Sequence, residues 1–419
     1  MSAQSKGYNI KVSAKKIAGQ TRVEIYNGNA FKLLDLDVEI RKQGESRSYH
    51  IDSIAAKSSW CEGQRTKKYL PFQKVGLYEG KSHRIDCSLY DETAGIYRGM
   101  PHHAMVWPEL DEEKDWNRQL QYAVEGAEVN VSFVARGPRM AFCGHSFTGL
   151  WDSAYYYFRE LAKMGGWNAQ IAYSYWGGTG ISGYAGLVPG CEMRAEQCRR
   201  LLQSNDYYDF FTVAGNSDEA VETRSGLVGD VEYKQRKTMQ QGAFLLHKMA
   251  KEKEAATILW APHAYQYGFL QNMEVKPWRE GRVGEFYEKN GKKYLLTLSQ
   301  EEMAIANDRW YHELAESLGG DVLAAPVSMA YHKVYTAYGE RVNPYLGPEA
   351  ECGDCGHQNN IGNYISACVY YHLIFGEAVE AENVPVSHTW GMDGGSVTKK
   401  QAGWIRKTVN EMFREEEQK

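Results

Sequence analysis

None of the 419 residues falls in an apolar run approaching the ~18 needed to span a bilayer. The first thirty residues carry Lys6, Lys11, Lys15 and Lys16 without an uninterrupted apolar core, so no signal peptide is legible. A cytoplasmic protein is the expectation, although a secreted form with Met1 in place of a removed signal would read the same way. Cysteine is scarce: eight, at 61, 87, 143, 191, 198, 352, 355 and 368, are too few for a disulfide scaffold and leave reduced thiols as the default. An excess of one charge is also missing. Lys+Arg 48 against Asp+Glu 53 gives -5 with the signs interspersed, which excludes a basic surface for nucleic acid or an anionic membrane.

What is present is a globular composition, 43% hydrophobic and 24% charged, long enough for two to three domains. Tyrosine is the unusual residue at 29, alongside 11 Trp. Aromatic rings fill cores and also stack on sugars, so this is a hint about substrate and nothing firmer. Oligomeric state is not legible.

Up to about residue 136 the pattern is short alternating segments: Arg22 to Tyr26, Asp35 to Arg41, Ser48 to Ile51, Lys74 to Tyr78, His83 to Leu89 and Ala127 to Val134. Turns such as Asn27-Gly28-Asn29 separate them, as in an all-β sandwich or jelly roll. Residues 1–136 are therefore expected to form a β-sandwich-like accessory domain, with Arg136-Gly137-Pro138-Arg139 as a break.

From 137 to 419 apolar strands alternate with helical stretches. The strands are expected at Met140 to Cys143, Ala169 to Tyr175, Phe210 to Ala214, Thr257 to Ala261 and Asp321 to Pro326. Helical periodicity marks Trp151 to Lys163, Met193 to Gln203, Tyr233 to Lys251, Glu301 to Leu318 and Ile361 to Phe375. A last helix from Lys399 opens on a capping box of Thr398 and Gln401. The alternation predicts an α/β fold, a flavodoxin-like parallel sheet of about five strands with helices on both faces. Between Asn272 and Ser299 an insertion interrupts it, with Asn290-Gly291 reading as a hairpin turn.

Ligands of such sheets bind outside the carboxyl ends of the strands. There the first strand leads into Gly144-His145-Ser146-Phe147-Thr148, a serine on a strand-to-helix turn. Its hydroxyl is open and its amide lies near the positive end of a helix, a place for an oxyanion, although helix N-capping is the plainer role. The third strand leads into Gly215-Asn216-Ser217, where an asparagine amide can serve as an oxyanion donor or merely close a turn. Past the fifth strand stands Asp354-Cys355-Gly356-His357, in which the aspartate can orient the imidazole of a base.

In this order the pieces resemble the SGNH (GDSL-type) hydrolase superfamily of esterases and acetylesterases, over roughly residues 138 to 417. The run Gly362-Asn363-Tyr364-Ile365-Ser366-Ala367 also looks like the family's helix after the histidine. The resemblance implies Ser146 as nucleophile, His357 as base and Asp354 as its orienting carboxylate. It further implies an oxyanion hole from the Ser146 amide, Asn216 and a glycine amide, taken as Gly178 from the set Gly177, Gly178 and Gly180. The substrate would be a small or carbohydrate ester, most plausibly an O-acetyl group, with no cofactor or metal. His145 departs from the family's Asp or Asn at that place; as a rival base it would point away from its neighbour Ser146.

Three alternatives arise from the same segments. Gly178-Thr179-Gly180-Ile181-Ser182-Gly183 matches a dinucleotide fingerprint, but Val188-Pro189-Gly190 intervenes before the helix and Asp206 precedes its expected place. Cys352, Cys355 and His357, with Cys143 or His145, approximate a zinc set offering one clear ligand pair where structural sites show two. Cys352 and Cys355 could also form a bridge under oxidising conditions. The third alternative is an inactive binding protein on a hydrolase fold. Trp151, Tyr175, Trp176, Tyr265, Tyr267 and Trp278 fall near strand ends or in the insertion, as packing residues or as walls of a sugar cleft.

Overall fold

A computed structural model describes residues 8–78, 90–91, 96–97, 115–149, 152–217, 219, 230–266, 269–272, 286–289, 292–345, 356–380, 383–387 and 395–418. The N-terminal part carries β1 (Ile10–Ile17), β2 (Gln20–Asn27), β3 (Leu33–Lys42), β4 (Glu45–Ile54), β5 (Ser58–Cys61), β6 (Gly76–Tyr78), β7 (Tyr90–Asp91), β8 (Ile96–Tyr97), β9 (Asn117–Val124) and β10 (Ala127–Val134). They form the antiparallel sheets β1-β2-β5 and β4-β3-β10-β9 and the two-stranded pair β7-β8. Their inner faces follow the period of two: Leu36, Val38 and Ile40 on β3 meet Val129 and Val131 on β10 in the core. The segment at His83 to Leu89 lies outside the described residues.

No break follows β10. The chain enters β11 (Arg136–Gly144) directly, and the irregularity expected at 136–139 is a shift of register within that strand. Next come α1 (Ser146–Gly149), α2 (Ser153–Met164), β12 (Asn168–Tyr175), α3 (Ile181–Tyr184), α4 (Glu192–Gln203), β13 (Phe210–Ala214), α5 (Asp230–Lys251) and β14 (Ala256–Trp260). The insertion holds β15 (Phe269–Asn272), β16 (Phe286–Lys289) and β17 (Lys292–Leu298), after which run α6 (Gln300–Leu318), β18 (Val322–Ala325), α7 (Val327–Tyr338), α8 (Asn360–Phe375) and α9 (Lys399–Glu417).

The five expected strands are all present and parallel, and β6 adds a sixth at the edge, giving the order β18-β14-β13-β11-β12-β6. The α/β architecture preceded by a β domain is thus borne out. Successive residues of the strands face opposite layers. Met140, Phe142, Phe210, Ile258 and Trp260 pack with α2, α7, α8 and α9. Ala141, Cys143, Phe211, Val213 and Leu259 pack with α3, α4, α5 and α6. The first of these cores runs on into the N-terminal sheets, where the Phe31 ring stands edge-on to Trp167 at 4.7 Å.

In the insertion, β16 and β17 pair with Lys289 opposite Lys292, the register a two-residue connection imposes, and β15 adds a third strand. Thr398 and Gln401 form the expected capping box of α9, and Ser299 with Glu302 forms another on α6. Helix α7 was not expected from the sequence. Its Val327, Ala330, Tyr331 and Val334 are buried among branched and aromatic residues of modest helix propensity, so packing decides its state. No helix among the described residues is long and apolar enough to cross a membrane.

Candidate active site

The strand order turns at β11: β12, next along the chain, lies on one side of it and β13 on the other. That is the topological switch point, where the loops of neighbouring strands part and leave a crevice. Ser146 opens α1 at the carboxyl end of this central strand. The turn is tight because the strand ends on Gly144, where a Cβ would run into the Tyr155 hydroxyl and Thr148 Oγ1. The Thr148 hydroxyl also receives the His145 amide at 3.1 Å, so the turn is bonded from within.

His145 is buried and neutral. Its Nε2 lies 2.9 Å from the Gly215 carbonyl, which assigns the proton to Nε2, and its Nδ1 accepts the Phe147 amide at 3.3 Å. Burial, assisted by the nearby His357, lowers its pKa to about 4. Both ring nitrogens being engaged, His145 ties the serine turn to the loop after β13 and is not placed to be the base.

The loop after β13 carries Asn216, half-buried, whose Nδ2 donates to the Gly178 carbonyl at 3.3 Å. An amide nitrogen has two hydrogens, and this contact fixes the amide plane with one of them. Gly178 itself is exposed with φ +62°, a left-handed conformation natural to glycine. Next to Asn216, Ser217 donates to the His263 carbonyl at 2.7 Å, and His263, on the loop after β14, lies 2.7 Å from the Gly356 carbonyl through Nε2. The loops of the third and fourth strands thereby hold the backbone just before His357.

Ser146 and His357 are both half-buried, and two contacts bring their segments together. Phe147 and His357 have ring centroids 5.1 Å apart, and Gln358 Nε2 donates to the Ser146 carbonyl at 2.9 Å. Asp354 lies outside the described residues, as do Cys352, Cys355, Trp151, Tyr267 and Trp278.

Gln358 also begins a buried chain of amides that the sequence did not disclose. Its Nε2 donates to Asn363 Oδ1 (3.2 Å), Asn363 Nδ2 to Asn360 Oδ1 (3.3 Å), and Asn360 Nδ2 to Asp152 Oδ2 (3.0 Å), which also accepts from Ser387 (2.6 Å). Read as a string, Gln358-Asn359-Asn360 looks like a polar helix start, and Asn359 is indeed the cap, accepting from Ile361 and Gly362. Only the fold shows that its two neighbours turn inward.

The alternatives fare differently. The glycine-rich match opens α3, four residues long, and the Ile181 amide at its start donates to the Glu219 carboxylate at 3.4 Å. A buried carboxylate there repels the phosphate that a dinucleotide would bring. Among the described residues no group of three His, Cys, Asp or Glu is placed to hold a metal. Cys143 faces the other layer, with its Sγ 3.5 Å from that of Cys198. Tyr175 and Trp176 are buried, and Tyr265 packs with its ring centroid 6.3 Å from that of Phe147.

Family models and curated proteins give no match to this chain. Among solved structures it is similar to the acetylxylan esterase Axe2 of Geobacillus stearothermophilus, at 13% identity and TM-score 0.37 over 58% of this chain and 97% of that one. It is also similar to the YxiM protein of Bacillus subtilis, at 12% identity and TM-score 0.35 over 90% of this chain and 93% of that one. Likeness at this level assigns neither an activity nor a residue role.

Proposed function

We propose that the chain is a serine esterase of the SGNH type, acting on small esters and most plausibly on O-acetyl groups of carbohydrates. The observation that supports this most is the Gln358 bond, which joins the backbone of Ser146 to the residue following His357 at the switch point of the sheet, with Asn216 on the adjoining loop. In this reading the Ser146 hydroxyl attacks the acyl carbonyl while His357 takes its proton. The oxyanion is met by the Ser146 and Gly178 amides and by Asn216 Nδ2. The tetrahedral intermediate collapses as His357 returns the proton to the leaving alkoxide, and water then releases the acid by the same steps in reverse. Asp354 is proposed to orient the imidazole. Acetyl as the acyl group and carbohydrate as the alcohol rest on the family resemblance, and residues 1–136 are proposed as an accessory domain.

Release of p-nitrophenol from the acetate and butyrate esters, by the wild type and by Ser146→Ala, tests the proposal. Turnover that vanishes in the variant supports it. Short esters left untouched by the wild type, or cleaved equally by Ser146→Ala, would favour a binding protein on a hydrolase fold. A chelator added to the same assay should change nothing.

A further inference from the structure

We propose that Glu219 is the positioning residue of the oxyanion hole, an inference that rests on the esterase reading above. Its side chain is buried where the loops after β12 and β13 meet. One oxygen, Oε2, accepts the backbone amide of Asn216 at 2.9 Å and that of Ile181 at 3.4 Å, while the Glu219 amide donates to the Asn216 carbonyl at 3.1 Å. Asn216 is thus held to Glu219 at both ends of its peptide unit, and the same carboxylate reaches across to the loop that presents Gly178.

The packing is as specific as the bonding. The carboxylate lies where a Cβ on Gly180 would be, and the corresponding position on Gly215 is crowded by Glu219 Oε2 and the Tyr311 hydroxyl. Both loops therefore carry glycine where Glu219 approaches. A turn-capping carboxylate needs only its own turn; the second donor and the glycine on the opposite loop mark a clamp between two loops.

Catalysis gives the clamp its purpose. Oxyanion donors act by being in place before charge develops, at about 2.7–3.1 Å from the position the oxygen will reach. Asn216 comes from one loop and Gly178 from the other, joined on the open side by a contact of 3.3 Å. Glu219 fixes the same two loops from the buried side, so its loss should be felt in the transition state rather than in substrate binding.

Steady-state hydrolysis of p-nitrophenyl acetate by Glu219→Gln, Glu219→Asp and Glu219→Ala, each alone and combined with Asn216→Ala, tests this. Glu219→Gln keeps the reach and an acceptor oxygen and should hold kcat within about threefold, whereas Glu219→Asp and Glu219→Ala should lower it ~10–100-fold with KM within about twofold, as donor misplacement predicts. In the Asn216→Ala background the same changes should cost less than about threefold, because two residues acting through one group are not additive. The proposal is overturned if Glu219→Asp keeps wild-type kcat, if its loss is undiminished without Asn216, or if only KM moves. Melting curves accompany the kinetics. If Glu219→Ala fails to fold, the comparison of Gln with Asp decides; if all three fail to fold, Glu219 is a structural residue and the proposal falls. Should Asn216→Ala alone keep full activity, the oxyanion assignment fails instead, and should Ser146→Ala do so, the esterase reading fails.

Discussion

Replacing Gln358 by methionine isolates what joins the nucleophile to the base. Methionine nearly matches glutamine in length and shape, so no large cavity opens, but both donated bonds disappear, to the Ser146 carbonyl at 2.9 Å and to Asn363 Oδ1 at 3.2 Å. Gln358 is 0% exposed, so water does not readily replace them. A buried polar group deprived of its partner costs ~1–3 kcal/mol, so two such losses give ~2–4 kcal/mol after partial relaxation. At ~2–4 °C per kcal/mol for domains of this size, the melting point should fall by ~5–15 °C. The kinetic effect has a separate origin. A displacement of about 1 Å between reacting groups can cost ~10² in rate, so kcat for p-nitrophenyl acetate should fall by one to two orders of magnitude at temperatures where the variant remains folded. Gln358→Glu supplies the control in charge: its carboxylate sets acceptor against two acceptors and should be worse than methionine at neutral pH, then improve as pH falls and the protonated acid regains one donor. A Gln358→Met protein that melts within about 2 °C of wild type and keeps its kcat would refute this account of the site.

Three further outcomes are expected. Ser146→Ala and His357→Ala should each abolish measurable ester turnover, with the double variant hardly worse than either, while Asn216→Ala should lower kcat by ~10²–10³ and leave KM little changed; independent, multiplying losses would show that these residues do not act as a unit. His145 should make the fold sensitive to acid: its pKa falls from 6.5 to about 4 on folding, so between those values the unfolded chain binds the proton and the native one does not. That stability is fully present above pH 6.5 and is lost as pH falls towards 4, by about 3 kcal/mol in all, so urea midpoints of wild type and His145→Gln should converge over that window; parallel curves would count against it. Replacing residues 270–296 with a short Gly-Ser link, which spares Leu298 and the Ser299 cap, should change the preference between small and large esters with little loss of thermal stability, and an unchanged substrate profile or a collapse of folding would sink that idea.

The architecture was legible because its signals are local. Phe210 to Ala214 and Ala256 to Trp260 are short apolar runs between helical periods, and no other reading of such runs survives five repetitions. Helix α7 escaped because Val327, Tyr331 and Val334 owe their helical state to burial between the sheet and α8, a tertiary effect without a sequence period of its own. The strand expected at Lys74 to Tyr78 is present as β6, but its partner escaped for a related reason: Gly76–Tyr78 is too short to declare whether it joins its sequence neighbours or β12, nearly a hundred residues on.

The site divides along the same line. Ser146 and Asn216 directly follow β11 and β13, at positions that any parallel sheet presents at its carboxyl edge, so strand ends alone find them; His357 lies beyond α7, just before α8, and is found through its Asp-x-x-His spacing and the resemblance. The groups that hold them cannot be found that way, because their partners are distant in the chain. Gln358 bonds across to Ser146, Asn360 across to Asp152, and Glu219 back across to Ile181. Each is a common polar residue in a polar stretch, and its sequence carries no mark of burial. What distinguishes them is the cost of leaving a buried donor or acceptor unpaired, which makes each one specific to a single partner. Substitutions there should therefore be less tolerated than at exposed polar positions, and a saturation library scored for ester turnover should show Gln358 and Glu219 as restricted as Asn216, with exposed Glu192 and Glu252 free to vary.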